Sequence, residues 1–203
     1  MQAAIVRFGW RKNAAALSGQ TIDMLAEALT QTSKAIMSKN TLTSIVPFRD
    51  EFKDQVVDLI LHIQNVEAKV GISASDQPDI LAIESCYLDE GGGFWVALNE
   101  DGQVVGTIGL QLAAPEVGVL KKFFVDAAFR GMQNGPAIQL YSALIGHARA
   151  SSVRTIVLDT PAVATRSHAF YKKAGFTQVD KIALPIHYDY PDRNSLLFRL
   201  DLD

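Results

Sequence analysis

Glu116-Val117-Gly118-Val119-Leu120-Lys121-Lys122-Phe123-Phe124-Val125, followed by Asp126-Ala127-Ala128-Phe129-Arg130-Gly131-Met132-Gln133-Asn134-Gly135-Pro136-Ala137, is the stretch whose reading decides the fold. Its first ten residues are β-branched, aromatic and apolar, which predicts a buried strand. After the loop, Ala137, Leu140, Tyr141, Leu144, Ile145 and Ala148 recur at helical spacing, so a helix with one buried side is expected up to residue 150. Pro136 suits the first helical position, where its missing N–H costs nothing. A strand, a glycine-containing loop and a helix N-terminus together suit an anion, because free N–H groups and the positive end of the helix dipole meet there. Arg130 adds a charge suited to phosphate.

A second stretch narrows the reading. Ser167-His168-Ala169-Phe170-Tyr171-Lys172-Lys173-Ala174-Gly175-Phe176 reads as a short helix closed by Gly175 in the left-handed position, with Phe176 folding back on it. With these two stretches the chain resembles the GNAT superfamily of acyl-CoA-dependent N-acetyltransferases, over about residues 44–203. Arg130-Gly131 followed by Gly135-Pro136-Ala137 looks like the family's pyrophosphate loop, and Phe170 to Phe176 looks like its Tyr-x-Lys-x-Gly-Phe signature. Gln133 stands where the loop's first glycine is usual, and Gly135-x-Ala137 follows two residues later, which reads as a longer loop with Gly135 giving the close approach. Ala164 stands where the family often has an Asn that bonds the pantetheine arm.

The resemblance implies an α/β fold, with a mixed, mostly antiparallel central sheet flanked by helices. It implies acetyl-CoA as co-substrate and no metal, with Arg130, Gly131, Gln133, Asn134, Gly135, Pro136 and Ala137 on the cofactor's phosphates. Backbone N–H groups of Phe124 and Val125 would polarise the thioester carbonyl. Tyr171 would protonate the departing thiolate, since a phenol keeps its proton at neutral pH; otherwise it is a half-buried aromatic whose hydroxyl finds a partner. Three candidates receive the amine's proton: Glu116 at the start of the central strand, Asp159 at the end of the next one, and water. The expected function is transfer of an acetyl group to a primary amine, small or peptidic, in a ternary complex. The rival is a non-catalytic acyl-CoA-binding sensor or scaffold.

Bulk properties agree. A chain of 203 residues fits one domain with an appendage, and 48% apolar residues suffice for a core. A net charge of −3 disfavours a nucleic-acid partner. The lone cysteine, Cys86, excludes an internal disulfide or a Cys-rich zinc site and suits a reducing, cytoplasmic setting. No apolar run is long enough to span a bilayer. A homodimer is compatible with all this.

The remaining chain supplies walls and strands. Residues 1–43 are set apart as an arm and helix with no chemistry. Their Arg-bearing, acid-poor start also fits a transit peptide, or a start of translation at Met24 or Met37. Residues 44–47 read as a strand. Residues 49–69 are amphipathic through Phe52, Val56, Leu59, Ile60 and Ile63, and residues 79–88 form a weaker helix. In the family this pair walls the acceptor pocket, which places Val66, Val70 and Ile72 there. Two strands flank the turn Asn99-Glu100-Asp101-Gly102; further strands are expected at 154–158, 177–179 and 195–202. In the aromatic, charged segment 184–193, Tyr188, Asp189, Tyr190, Asp192 and Arg193 suit either a lid over the acceptor or an ordinary connection.

Overall fold

The computed structural model describes residues 43–187 and 194–202; the expectations for residues 1–42 and for Tyr188, Asp189, Tyr190, Asp192 and Arg193 lie outside them. Seven strands form one sheet: β1 (Ser44–Pro47), β2 (Gly93–Leu98), β3 (Val104–Ala114), β4 (Val117–Val125), β5 (Thr155–Pro161), β6 (Thr177–Val179) and β7 (Ser195–Asp201). Their order is β1-β2-β3-β4-β5-β7-β6, and every neighbouring pair is antiparallel except β4 with β5. The mixed, mostly antiparallel sheet is as expected.

The β2–β3 hairpin turns where Asn99, Asp101 and Gly102 predict it. The Asn99 side-chain oxygen accepts from the N–H groups of Asp101 and Gln103, at 3.1 and 2.8 Å, which closes the turn locally. Gly102, at φ 75°, takes the left-handed conformation that glycine adopts without steric cost.

Helices cover both faces. The first is α1 (Lys53–His62), which runs on into a wider turn at Ile63–Glu67, and the second is the short α2 (Pro78–Leu81). Residues 79–88 are therefore not one helix: Ala82 leaves helical geometry before a further wide turn at Glu84–Leu88. Phe52, Val56, Leu59 and Ile60 from the α1 region pack with Ile80, Tyr87, Phe94 and Val96 on one face. On the other face, α3 (Pro136–Ala150) and α4 (Thr165–Lys173) bury Leu140, Leu144, Ala148 and Tyr171 against Ile108, Leu110, Leu120, Ile156 and Leu158. The alternation of apolar residues along β2, β4 and β5 feeds both layers.

Two irregularities of β4 shape the site. Its parallel pairing with β5 covers only Val117–Val119 against Thr155–Val157. From Leu120 onward that edge of β4 has no strand partner among the described residues, which leaves a gap in the ladder between the two strands. The second irregularity is a bulge. Thr107 faces Phe124 while Gly109 faces Lys121, so two residues of β4 oppose one of β3. The bulge shifts the side-chain alternation by one: Val119 and Phe124 lie on the α1 face, whereas Leu120, Phe123 and Val125 lie on the α3 face. Lys122, at φ 51°, makes the turn.

Candidate active site

The gap between β4 and β5 is framed by the ends of several elements. Above it, β4 continues through Asp126 and the turn Ala127–Phe129 into residues 130–135 and the start of α3. Asp126 accepts from Ala128 N–H at 2.8 Å, which starts the turn. Gly131 and Asn134 take positive φ (74° and 56°), folding the loop back toward the helix. Gly135 then caps α3 with an extended backbone. A Cβ on it would lie 2.7 Å from the Cβ of Met132 and 3.2 Å from the Met132 carbonyl oxygen, so only glycine lets the chain close this tightly.

The result is a cluster of unused donors. Gly135 N–H bonds to Met132 O, while the amides of Ile138 and Gln139 both reach Gly135 O. Among the described residues, the N–H groups of Gln133, Asn134 and Ala137 donate to nothing. Three free amides at the positive end of a 15-residue helix suit an anionic group such as a diphosphate. The donors that suit such an anion come from the backbone of the loop and not from its side chains.

Arg130 does something else. Its fork pairs with both oxygens of Glu67, with Nη2 at 3.0 Å from Oε1, and its Nε donates to the carbonyl of Val125. The charge expected to meet phosphate is thus offset by a carboxylate, and the side chain ties the loop to the turn after α1.

The open edge of β4 also corrects one expectation. Asp126 N–H donates to Val105 O on β3 at 2.9 Å. By ladder alternation, the Phe124 amide points the same way and is spent on β3, while the Val125 amide faces the gap. Of the two amides named for polarising a carbonyl, the geometry leaves Val125.

Tyr171 stands beside this gap from the α3 face. Its helix ends as the sequence predicts: Gly175 at φ 94° lets Phe176 N–H reach Tyr171 O at 3.0 Å and Gly175 N–H reach Lys172 O at 3.2 Å. The ring is 6% exposed and packs among Phe123, Phe170, Phe176 and Phe198. Its hydroxyl donates to no described residue. Burial pushes its pKa well above the usual phenol range, and the negative charge of Asp159 pushes it further the same way. Both effects keep the proton on Tyr171.

Asp159 and Glu116 part company. Asp159 lies on β5 beyond the last residue that pairs with β4, and accepts from the Ser195 hydroxyl at 3.4 Å. Glu116 sits in the turn before β4, at φ 63°, and pairs with Arg154 at 3.0 Å, its side chain 56% exposed. That turn is at the other end of the strand, on the order of 30 Å from Val125 at about 3.3 Å per residue. A base acting at the gap cannot reach from there. Glu116→Gln is accordingly expected to leave turnover unchanged in a steady-state assay.

The α1 face of the gap carries residues that the motifs did not reveal. Lys122 reaches Asp79 Oδ1 at 3.1 Å and Gln77 Oε1 at 2.8 Å, with its side chain only 12% exposed. Tyr87 donates to Asp79 Oδ2 at 2.7 Å, and Gln77 exchanges amide bonds with Gln64. Burial pulls the Lys122 pKa down, opposed chiefly by Asp79. Two consecutive lysines inside an apolar strand were the available signal. Of the residues placed in the acceptor wall, Val66 and Val70 are exposed, whereas Ile72 is buried and clasped by the Asn65 side chain through both its N–H and its carbonyl. Leu184 and Ile186 cover Val119 and Val157, so the start of the expected lid does lie on this face.

Comparison with known proteins gives one answer. Residues 58–176 match the model of the acetyltransferase (GNAT) family. An acetyltransferase from Streptococcus agalactiae is 39% identical, with a TM-score of 0.75 over 79% of this chain and 98% of that one. A GNAT-family acetyltransferase from Staphylococcus aureus is 30% identical, with the same TM-score over 80% of this chain and all of that one. An N-acetylaspartate synthetase of Danio rerio is 36% identical over 103 residues, half of this chain and 36% of that protein. The chain spans about a third to a half of the length of the curated relatives it matches.

Proposed function

The chain belongs to the GNAT acetyltransferase family, and on that premise we propose that it moves an acetyl group from acetyl-CoA to a primary amine by direct transfer in a ternary complex. Acetyl-CoA supplies the acetyl group as a thioester. The observation that carries the reading is the set of free amides at Gln133, Asn134 and Ala137, opening α3 beside the unpaired edge of β4.

Each residue then has a task. The loop amides hold the diphosphate and so aim the thioester into the gap, which converts an encounter into a positioned reaction. The Val125 N–H donates to the carbonyl oxygen as negative charge develops on it. The amine nitrogen forms a bond to the carbonyl carbon as the carbon–sulfur bond breaks. Tyr171 gives its proton to the departing thiolate, and Asp159 takes the proton that the amine loses. Asp159 also draws a cationic amine toward the gap. Solvent takes the ammonium's first proton before the attack, Asp159 takes the second as the amide forms, and Tyr171 regains its proton from solvent as the products leave. Cys86 lies in the turn Glu84–Leu88, outside the strand end and loop given these tasks, and the direct route uses no thiol relay.

A bound CoA stabilises the fold by mass action, so a rise in melting temperature with CoA is expected. The test of transfer is thiol release from acetyl-CoA with a panel of amines, in which the likeness to N-acetylaspartate synthetase argues for including aspartate. Release that depends on an amine supports the enzyme. CoA binding with no transfer to any amine would instead favour the sensor.

A further inference from the structure

The proposed reaction needs the Val125 amide held still and aimed at the gap, yet the edge that carries it has no strand partner on the β5 side. Both ends of that edge are captured instead. At one end the Val125 carbonyl accepts from Arg130, whose fork is anchored to Glu67. At the other the Lys122 carbonyl accepts from the buried Thr107 hydroxyl at 2.7 Å, and the Lys122 side chain runs to Asp79 and Gln77. Asp79 and Gln77 are themselves fixed by Tyr87 and Gln64. Lys122 also holds a left-handed backbone, which is uncommon for a residue with a side chain and needs its surroundings to maintain it.

We propose that Lys122 and Asp79 are positioning residues: their ion pair fastens the β4 bulge to the acceptor wall and so fixes the Val125 amide where the reaction needs it. The inference rests on the role given to that amide above. Lys122 is ill placed to touch the acceptor itself, since it is nearly buried and two of its three donors are already taken.

Lys122→Gly tests this sharply, because glycine adopts the same left-handed backbone without cost while removing the ion pair. Hydrogen exchange over residues 117–126 and 73–82 is compared for wild type, Lys122→Gly and Asp79→Ala. Exchange at least about tenfold faster in both segments of both variants is expected. Turnover is expected to fall by about 10²-fold in each variant, as for a sub-ångström to one-ångström misplacement of a catalytic group. CoA affinity should hold, and the double variant should be no worse than either single one.

Unchanged exchange overturns the proposal whether or not the protein transfers acetyl groups. So does full turnover in Lys122→Gly, which would mean that the bulge needs only its backbone conformation. A raised KM for the amine with kcat intact also overturns it, by placing Lys122 on the acceptor. A wild-type protein that transfers to no amine defeats the proposed function alone, and exchange still judges the ion pair.

Discussion

Tyr171→Phe is expected to lower turnover by about 10²–10⁴-fold, the usual span for a positioned acid, while CoA affinity and the fold stay nearly unchanged. The ring makes the packing contacts, and phenylalanine keeps them: Phe123, Phe176 and Phe198 meet the same face in the variant. Only the hydroxyl is lost, and among the described residues its removal strands no partner. A purely structural tyrosine would make this substitution silent. The pH profile adds a second check. Because burial and Asp159 both raise the Tyr171 pKa, the acid form persists past the ordinary phenol value of about 10. Any fall in rate between neutral pH and that value must therefore come from another group. A wild-type alkaline limb that vanishes in Tyr171→Phe would contradict the assignment, as would a Phe variant with full turnover.

The second large effect is at Gly135. Its φ of −71° is open to any residue, so the objection to a side chain is contact and not conformation. A Cβ would meet the Met132 Cβ at 2.7 Å, and neither atom is the far end of a flexible chain. In Gly135→Val the loop must move, and the amides of Gln133, Asn134 and Ala137 move with it. Hydrogen bonds to a charged group are worth about 1.5–3 kcal/mol each. Losing the aim of two of them is expected to weaken CoA by about 10²-fold or more, at 1.4 kcal/mol per tenfold. Calorimetric titration measures it directly. An unchanged Kd would show that the phosphates are held elsewhere.

Much of this architecture is legible in the chain. The strand before the loop, the helix from Pro136 to Ala150 and the Gly175 cap depend on short-range rules, and each forms where those rules place it. The hairpin at Asn99–Gly102 is equally local. What the chain conceals is whatever depends on long-range partners. Arg130 looks like a phosphate ligand until Glu67, 63 residues away, claims its fork. Phe124 and Val125 look equivalent until the register with β3 separates them. Glu116 and Asp159 are alike as carboxylates, and only the strand directions show that one lies at the far end of β4. Lys122 is the plainest case: a weak helical pattern over residues 79–88 does not show that Asp79, in a helix of only four residues, will meet a lysine of the central strand.

Every proposed step depends on the loop's backbone amides holding the diphosphate of CoA. Isothermal titration into the full chain compares CoA with 3′-phospho-AMP and pantetheine, the two halves of CoA that lie on either side of the diphosphate bridge. Saturable binding of CoA is expected, with most of the affinity lost when the diphosphate bridge is missing. A well-folded sample that does not take up CoA, or binds either half as tightly as CoA, would contradict this.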